Sequence, residues 1–227
     1  MFNCILFDFD GTVFDTVEGI TKSVRYALNK VGLDAELESL RCFAGPPLAD
    51  QFMEVYGFDR AAAEQAVADY RERYRPIGIN ECRVFPGIRE LLEKLHAAGK
   101  TVGIATSKPQ EMAEELLRRE GMLGLFPVIC GSLPNGNDSA KWQVVERAMQ
   151  LCGAEEESTI LVGDTKYDVA GAHKVGIACV GVRYGYAAPG ELEEAGADYI
   201  VADIPALEAF LLGLPAPLTQ GSQESEE

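Results

Sequence analysis

Hydrophobic positions in this chain alternate between two rhythms. Short β-type runs stand at NCILFD (3–8), TVGIAT (101–106), PVIC (127–130), STILVGD (158–164), IACVGV (177–182) and DYIVA (198–202). Between them, apolar residues recur at helical spacing. Ile88, Leu91, Leu92 and Leu95 mark one such helix, with Pro86 near its start and Gly99 just past its end. Strands alternating with helices predict βαβ units and a parallel sheet.

Residues 16 to about 82 break that alternation. Val17, Ile20, Val24, Leu28 and Val31 share one helical face, DRAAAEQAVADYRERYRP marks a second helix, and shorter helical stretches are expected near 34–43 and 47–56. No strand-type run lies among them. The pattern predicts an all-helical insert, entered near Asp15 and left near Phe85-Pro86-Gly87. Residues 1–15 and 83–214 then form an α/β core, residues 16–82 a helical domain, and the polar, acidic stretch 215–227 a disordered tail.

Composition narrows the partners. With 227 residues, 47% apolar and 25% charged, the chain can bury a sizeable core. A formal net charge of -16, with no Lys/Arg block, argues against a nucleic acid polymer or an anionic membrane as partner. It also means that an anionic small molecule needs a local cation to bind. The six cysteines stand singly, without a CxxC pair, and are expected to be buried free thiols. The N-terminus enters a strand pattern directly and no apolar stretch approaches membrane-spanning length, so a cytoplasmic location is expected. Asn137-Asp138-Ser139 matches the glycosylation triplet, which that compartment would not modify.

Candidate chemistry stands at the strand ends. In an open parallel sheet, ligands bind beyond the carboxyl ends of the strands. There the chain places Asp8 and Asp10, then Thr106 and Ser107, then Asp164 with Asp168 four residues on. Strand alternation sends Asp8 and Asp10 to one side and Phe9 to the other. Asp10-Gly11 alone could be an ordinary turn. Three converging carboxylates, however, repel unless a cation lies among them, and oxygen ligands suit Mg²⁺ better than zinc. Lys141 opens a helix that Asp138 or Ser139 would cap and whose apolar face carries Val144, Val145, Ala148 and Met149. A cation in a first turn opposes the helix dipole, so Lys141 is either a solvated side chain or one turned into the acidic crevice. A metal, a carboxylate nucleophile, hydroxyl and backbone donors and a lysine make the set needed for phosphoryl transfer through an aspartyl-phosphate.

Other residues carry less. His96 and His173 have no partner at ligand spacing, Trp142 reads as packing, and neither a P-loop nor a GxGxxG occurs. Arg71, Arg73 and Arg75 could reach a substrate anion, yet arginines on an exposed helix are usually solvated.

ILFDFDGTVFDT, GIATSK, DSAKWQVV and VGDTKYDVAGA resemble the four ordered motifs of the haloacid dehalogenase (HAD) superfamily, and together they embrace nearly the whole chain. The insert after the first motif is similar to the C1 cap of the subgroup containing phosphoglycolate phosphatases and β-phosphoglucomutases. The resemblance implies a Rossmann-like core with a helical cap, and a role for each matching position. Asp8 would be the nucleophile and a Mg²⁺ ligand; Asp10 would be the acid and base, with its backbone carbonyl on the metal. Thr106, Ser107 and Lys141 would bind phosphate, Asp164 would bind the metal directly, and Asp168 would support it or pair with Lys141. An acid at position 10 marks phosphoryl-transfer members rather than dehalogenases. Gly45-Pro46-Pro47 resembles a cap loop reaching the active site, and could equally be a plain interhelical turn. The leading expectation is a Mg²⁺-dependent phosphatase for a small phosphorylated metabolite such as phosphoglycolate. A 5'-nucleotidase and a sugar-phosphate mutase share the same motifs. A phospho-aspartate receiver module is the non-enzyme alternative, disfavoured by chain length and by the helical insert.

Overall fold

The apolar strand runs assemble into one six-stranded sheet. The computed structural model describes residues 2–133 and 140–215. The triplet at Asn137, the expected cap residues Asp138 and Ser139, and the tail from 216 onward lie outside the described residues.

In chain order the elements are β1 (Cys4–Phe7), β2 (Phe14–Asp15), α1 (Val17–Lys30), α2 (Leu48–Tyr56), α3 (Arg60–Tyr74), β3 (Arg83–Val84), α4 (Ile88–Ala97), β4 (Thr101–Pro109), α5 (Gln110–Arg119), β5 (Val128–Ser132), α6 (Lys141–Cys152), β6 (Thr159–Gly163), α7 (Lys166–Lys174), β7 (Ala178–Val182), α8 (Glu191–Glu194), β8 (Tyr199–Val201) and α9 (Ile204–Leu212). The strand order is β5-β4-β1-β6-β7-β8, parallel throughout. The chain builds outward from β1 on both sides. The switch in direction therefore falls at the carboxyl ends of β1, β4 and β6, where a crevice opens.

Both faces of the sheet are covered, which explains why the strands read as continuous apolar runs. Ile5 and Phe7 of β1 point into one core with Leu91, Leu92 and Leu95 of α4 and Leu116 and Leu117 of α5. Cys4 and Leu6 point into the other, with Val144, Val145 and Ala148 of α6 and Val169 and Ala172 of α7. Of the cysteines, Cys4, Cys130 and Cys179 are buried as expected, whereas Cys42 is exposed.

Between β2 and β3 the described chain is helical. Ile20, Val24, Ala27 and Leu28 of α1 pack with Ala63, Ala66 and Tyr70 of α3, whose first turn is capped by Asp59 accepting from the Ala62 N–H at 2.8 Å. The stretch expected to be helical near 34–43 is a 3-10 helix over Leu37–Phe43, and Phe43 packs on Phe52 with ring centroids 4.9 Å apart. β2 and β3 pair antiparallel where the chain enters and leaves this unit.

Candidate active site

The first strand delivers its two aspartates by a tight turn. Asp8 still holds the sheet register through its N–H on the Val162 carbonyl. Phe9 turns into the core and stacks on Phe14 at 4.6 Å between centroids, leaving Asp8 and Asp10 on the crevice side. Gly11 follows at φ 86°, and a Cβ there would lie 2.1 Å from Asp164 Oδ2. Only glycine permits both the left-handed turn and that approach.

Asp164, beyond the end of β6, is fully buried. It accepts from the Thr12 hydroxyl at 3.0 Å and from the Tyr186 N–H at 2.8 Å. Asp168, in the first turn of α7, accepts from the Thr165 N–H and hydroxyl at 3.0 and 2.9 Å. Thr106 is buried at the end of β4, and it lines one cavity with Ser107, Asp8 and Asp10.

Lys141 resolves its two sequence readings in favour of the crevice. Its Nζ lies 2.7 Å from Asp8 Oδ1 and 2.6 Å from Asp168 Oδ1. The stem reaches inward past Gly171, where a Cβ would sit 2.5 Å from Lys141 Cγ. Ala140 takes the N-cap position, and the Gln143 side chain accepts from its N–H at 3.2 Å.

Asp10 does not share that lysine. Its carboxylate is held by Lys108, whose Nζ donates to Oδ1 and Oδ2 at 2.9 and 3.2 Å and to the Tyr74 hydroxyl of α3 at 2.8 Å. Each carboxylate thus has its own buried ammonium. Lys108 is not among the candidates that the sequence pattern singles out, which place Lys141 alone in the crevice. A signal was present, because Lys108 stands two residues after Thr106 and strand alternation puts both on one side.

Burial works against charge on both lysines, but Asp168 and Asp8 outweigh it for Lys141, and Asp10 and Tyr74 for Lys108, leaving both pKa values raised. For Asp8 burial has the largest effect and raises the pKa from 3.8 to about 6, with Lys141 pulling down and the Asp168 charge pushing up. Asp164 is raised well above the usual carboxylate range, first by burial and then by the charges of Asp168 and Asp8.

One oxygen from each of Asp8, Asp164 and Asp168 can gather within 4.8 Å of the others. Buried, mutually repelling carboxylates that resist ionisation suit a hard divalent cation, which stabilises their charged forms. Asp168 is ion-paired with the Lys141 ammonium through one oxygen and holds Thr165 with the other, whereas Asp164 meets only the neutral donors of Thr12 and Tyr186 and Asp8 meets Lys141 through Oδ1, which makes Asp8 and Asp164 the better candidates for direct ligation. The raised pKa of Asp8 carries a sign. Folded chain binds its proton more tightly than unfolded chain between pH 3.8 and about 6, so metal-free stability falls as pH rises through that window. Protein treated with EDTA is expected to melt at a higher temperature at pH 5 than at pH 7.5; Asp8→Asn should flatten the difference and saturating Mg²⁺ should narrow it. An unchanged pH dependence in Asp8→Asn would remove Asp8 as its source.

The cavity over these residues holds about 910 Å³ and is roofed by the helical unit. Phe43, Leu48, Val67 and Tyr70 supply apolar lining, and Gly45, Pro46 and Pro47 stand at its wall. A Cβ on Gly45 would lie 3.2 Å from Thr165 Cγ2, so this turn does reach the core beside Asp164. Arg71 and Arg75 are exposed and border the cavity, whereas Arg73 is partly buried and paired with Glu81 at 2.8 Å. His96 bonds the Leu125 carbonyl, His173 pairs with Asp198, and Trp142 lies under Lys174, all away from this crevice.

The profile of the haloacid dehalogenase-like hydrolases matches residues 5–182. The chain belongs to that family. Among its relatives, the 5'-nucleotidase of Pseudomonas aeruginosa is 43% identical over 208 residues, covering 91% of this chain and 94% of that protein. The plasmid-encoded phosphoglycolate phosphatase of Cupriavidus necator is 30% identical, with coverage of 91% and 92%. The crystal structure of a predicted phosphatase from Clostridium acetobutylicum superposes with a TM-score of 0.90 at 40% identity, covering 94% of this chain and 100% of that one. This HAD chain is accordingly a phosphatase of the phosphoric monoester hydrolase class. Among the described residues, no helix is long and apolar enough to cross a membrane.

Proposed function

We propose that this enzyme is a Mg²⁺-dependent phosphatase that hydrolyses a small phosphomonoester through a phospho-Asp8 intermediate, with residues 16–82 acting as its cap. Asp8, held by Lys141, attacks phosphorus; a bond forms to its carboxylate oxygen and the bond to the leaving oxygen breaks. Asp10 gives its proton to that oxygen, which departs as the alcohol. Water then attacks the phosphorus and gives a proton to Asp10, the bond to Asp8 breaks, and phosphate leaves. Thr106, the Ser107 backbone and Lys141 hold the phosphoryl oxygens. Mg²⁺, bound by Asp8, Asp164 and the Asp10 carbonyl, would neutralise charge on the phosphoryl group.

The observation that carries the substrate preference is the cavity. Phosphoglycolate offers a two-carbon acid to a space of about 910 Å³ lined by Phe43, Leu48, Val67 and Tyr70. A nucleoside has the size and the flat apolar surface to fill such a site, and the relative from Pseudomonas aeruginosa is named a 5'-nucleotidase. Nucleoside monophosphates therefore replace phosphoglycolate as the leading substrates. A panel of nucleoside monophosphates, phosphoglycolate and hexose phosphates, scored by kcat/KM and product identity, is expected to favour nucleoside monophosphates by roughly ten-fold or more, the scale of burying a few extra apolar groups. A preference for phosphoglycolate would return the smaller substrate to first place. Isomerised hexose phosphate without phosphate release would identify a mutase.

A further inference from the structure

Asp10 stands beyond the end of β1, in an isolated bridge to Phe14 just before a turn, and its side chain is 16% exposed. Among the described residues, its carboxylate receives hydrogen bonds from a single side chain, Lys108. That lysine is anchored twice. Its side chain is 3% exposed, with Nζ 5.7 Å from the Phe9 ring centroid and 5.2 Å from that of Tyr74. Its ammonium also donates to the Tyr74 hydroxyl at 2.8 Å. Lys108 belongs to the core strand β4, whereas Tyr74 is the last residue of α3 in the helical unit. Tyr74 is itself buried and stacked on Tyr70, 5.0 Å between centroids.

We propose that Tyr74 and Lys108 are positioning residues that form a strap from the helical unit to the core and fix the direction in which the Asp10 carboxyl faces. An ammonium has three donors on a flexible stem, and one acceptor fewer leaves it free to turn. When α3 is docked, the Tyr74 oxygen occupies one donor and directs the others to Asp10. When α3 lifts, that acceptor goes with it, and the acid no longer points at a fixed place. Proton transfer to the leaving oxygen is thereby tied to closure of the helical unit over substrate. Lys108 also supplies charge, and the strap differs from charge pairing alone because it acts through an uncharged phenol across two units.

This inference rests on the phosphatase reading, and one assay separates the two. The quantity kcat/KM covers the steps up to departure of the leaving alcohol, so it reports Asp10 as acid and not as base. An alkyl phosphate needs that proton far more than p-nitrophenyl phosphate, whose leaving group is stable as an anion. Tyr74→Phe keeps the ring, the Lys108 charge and the fold. It is expected to lower kcat/KM on an alkyl phosphate by roughly ten- to a hundred-fold, the scale of misplacing a catalytic group, and to lower it on p-nitrophenyl phosphate by about ten-fold less. Lys108→Met should show the same bias, more strongly, and adding Tyr74→Phe to it should cost nothing further, because Tyr74 acts through Lys108. Equal losses on both substrates, no loss at all, or additive losses in the double variant would overturn the strap. Turnover retained in Asp8→Asn would instead overturn the phosphatase mechanism, and with it the basis of this inference.

Discussion

Asp8→Asn is expected to abolish phosphate release from p-nitrophenyl phosphate in the presence of Mg²⁺, a loss of roughly 10⁴-fold or more, as for other nucleophiles whose neighbours act as a unit. The amide has nearly the shape of the carboxylate but cannot form the acyl phosphate. Its fold should survive, because Asp8 is buried and its charged form is disfavoured enough to raise its pKa to about 6. Lys141 would keep Asp168 as a partner at 2.6 Å. Thermal melting at neutral pH should accordingly be unchanged or higher, which separates lost chemistry from lost structure. Acid-quenched wild-type enzyme should carry a phosphoryl group that the variant lacks, and EDTA should suppress wild-type turnover. Turnover surviving in Asp8→Asn would mean that another group takes the phosphoryl.

The strands were legible because each is buried on both faces and reads as an uninterrupted apolar run, such as TILVG in β6. The site carboxylates were legible for a related reason. A charge at the end of such a run stands out, and the parallel topology dictates that strand ends meet. Lys141 was legible as an oddity of helix electrostatics, and its ion pairs with Asp8 and Asp168 account for that oddity. Local pattern was less informative at 37–43, where LESLRCF has the apolar spacing of a helix but forms a 3-10 helix between the longer helices.

Lys108 and Tyr74 were harder to read, because what gives them meaning is contact between two units distant in sequence. Tyr74 stands 34 positions before Lys108, which in turn stands 98 after Asp10. Periodicity assigns a residue to a face of its own element and is silent about what that face meets. The same holds for Tyr186, whose backbone N–H holds Asp164 while its hydroxyl accepts from the Thr16 and Val17 N–H groups at the start of α1. This one residue joins the carboxylate cluster to the root of the helical unit. Cavity size is likewise a property of how far α3 and the Gly45-Pro46-Pro47 turn stand from the sheet, which no local pattern along the chain expresses.

Asp10→Asn is expected to lower steady-state turnover by roughly 10²- to 10⁴-fold, the range for general acid-base assistance, with Mg²⁺ binding retained through the backbone carbonyl. Its effect should differ from that of Asp8→Asn in kind as well as size. With p-nitrophenyl phosphate the leaving group departs without much help, so the first half of the reaction should still run. The second half should stall, because water must give up a proton and the amide cannot take it. Phospho-Asp8 should therefore accumulate, and rapid mixing should show a burst of nitrophenolate close to one equivalent of enzyme, followed by slow release of phosphate. An alkyl phosphate should give no burst, since there the amide also fails as an acid. Wild-type turnover in Asp10→Asn, or a lag in place of the burst, would show that the proton is handled elsewhere and that the second aspartate serves only to position its neighbours.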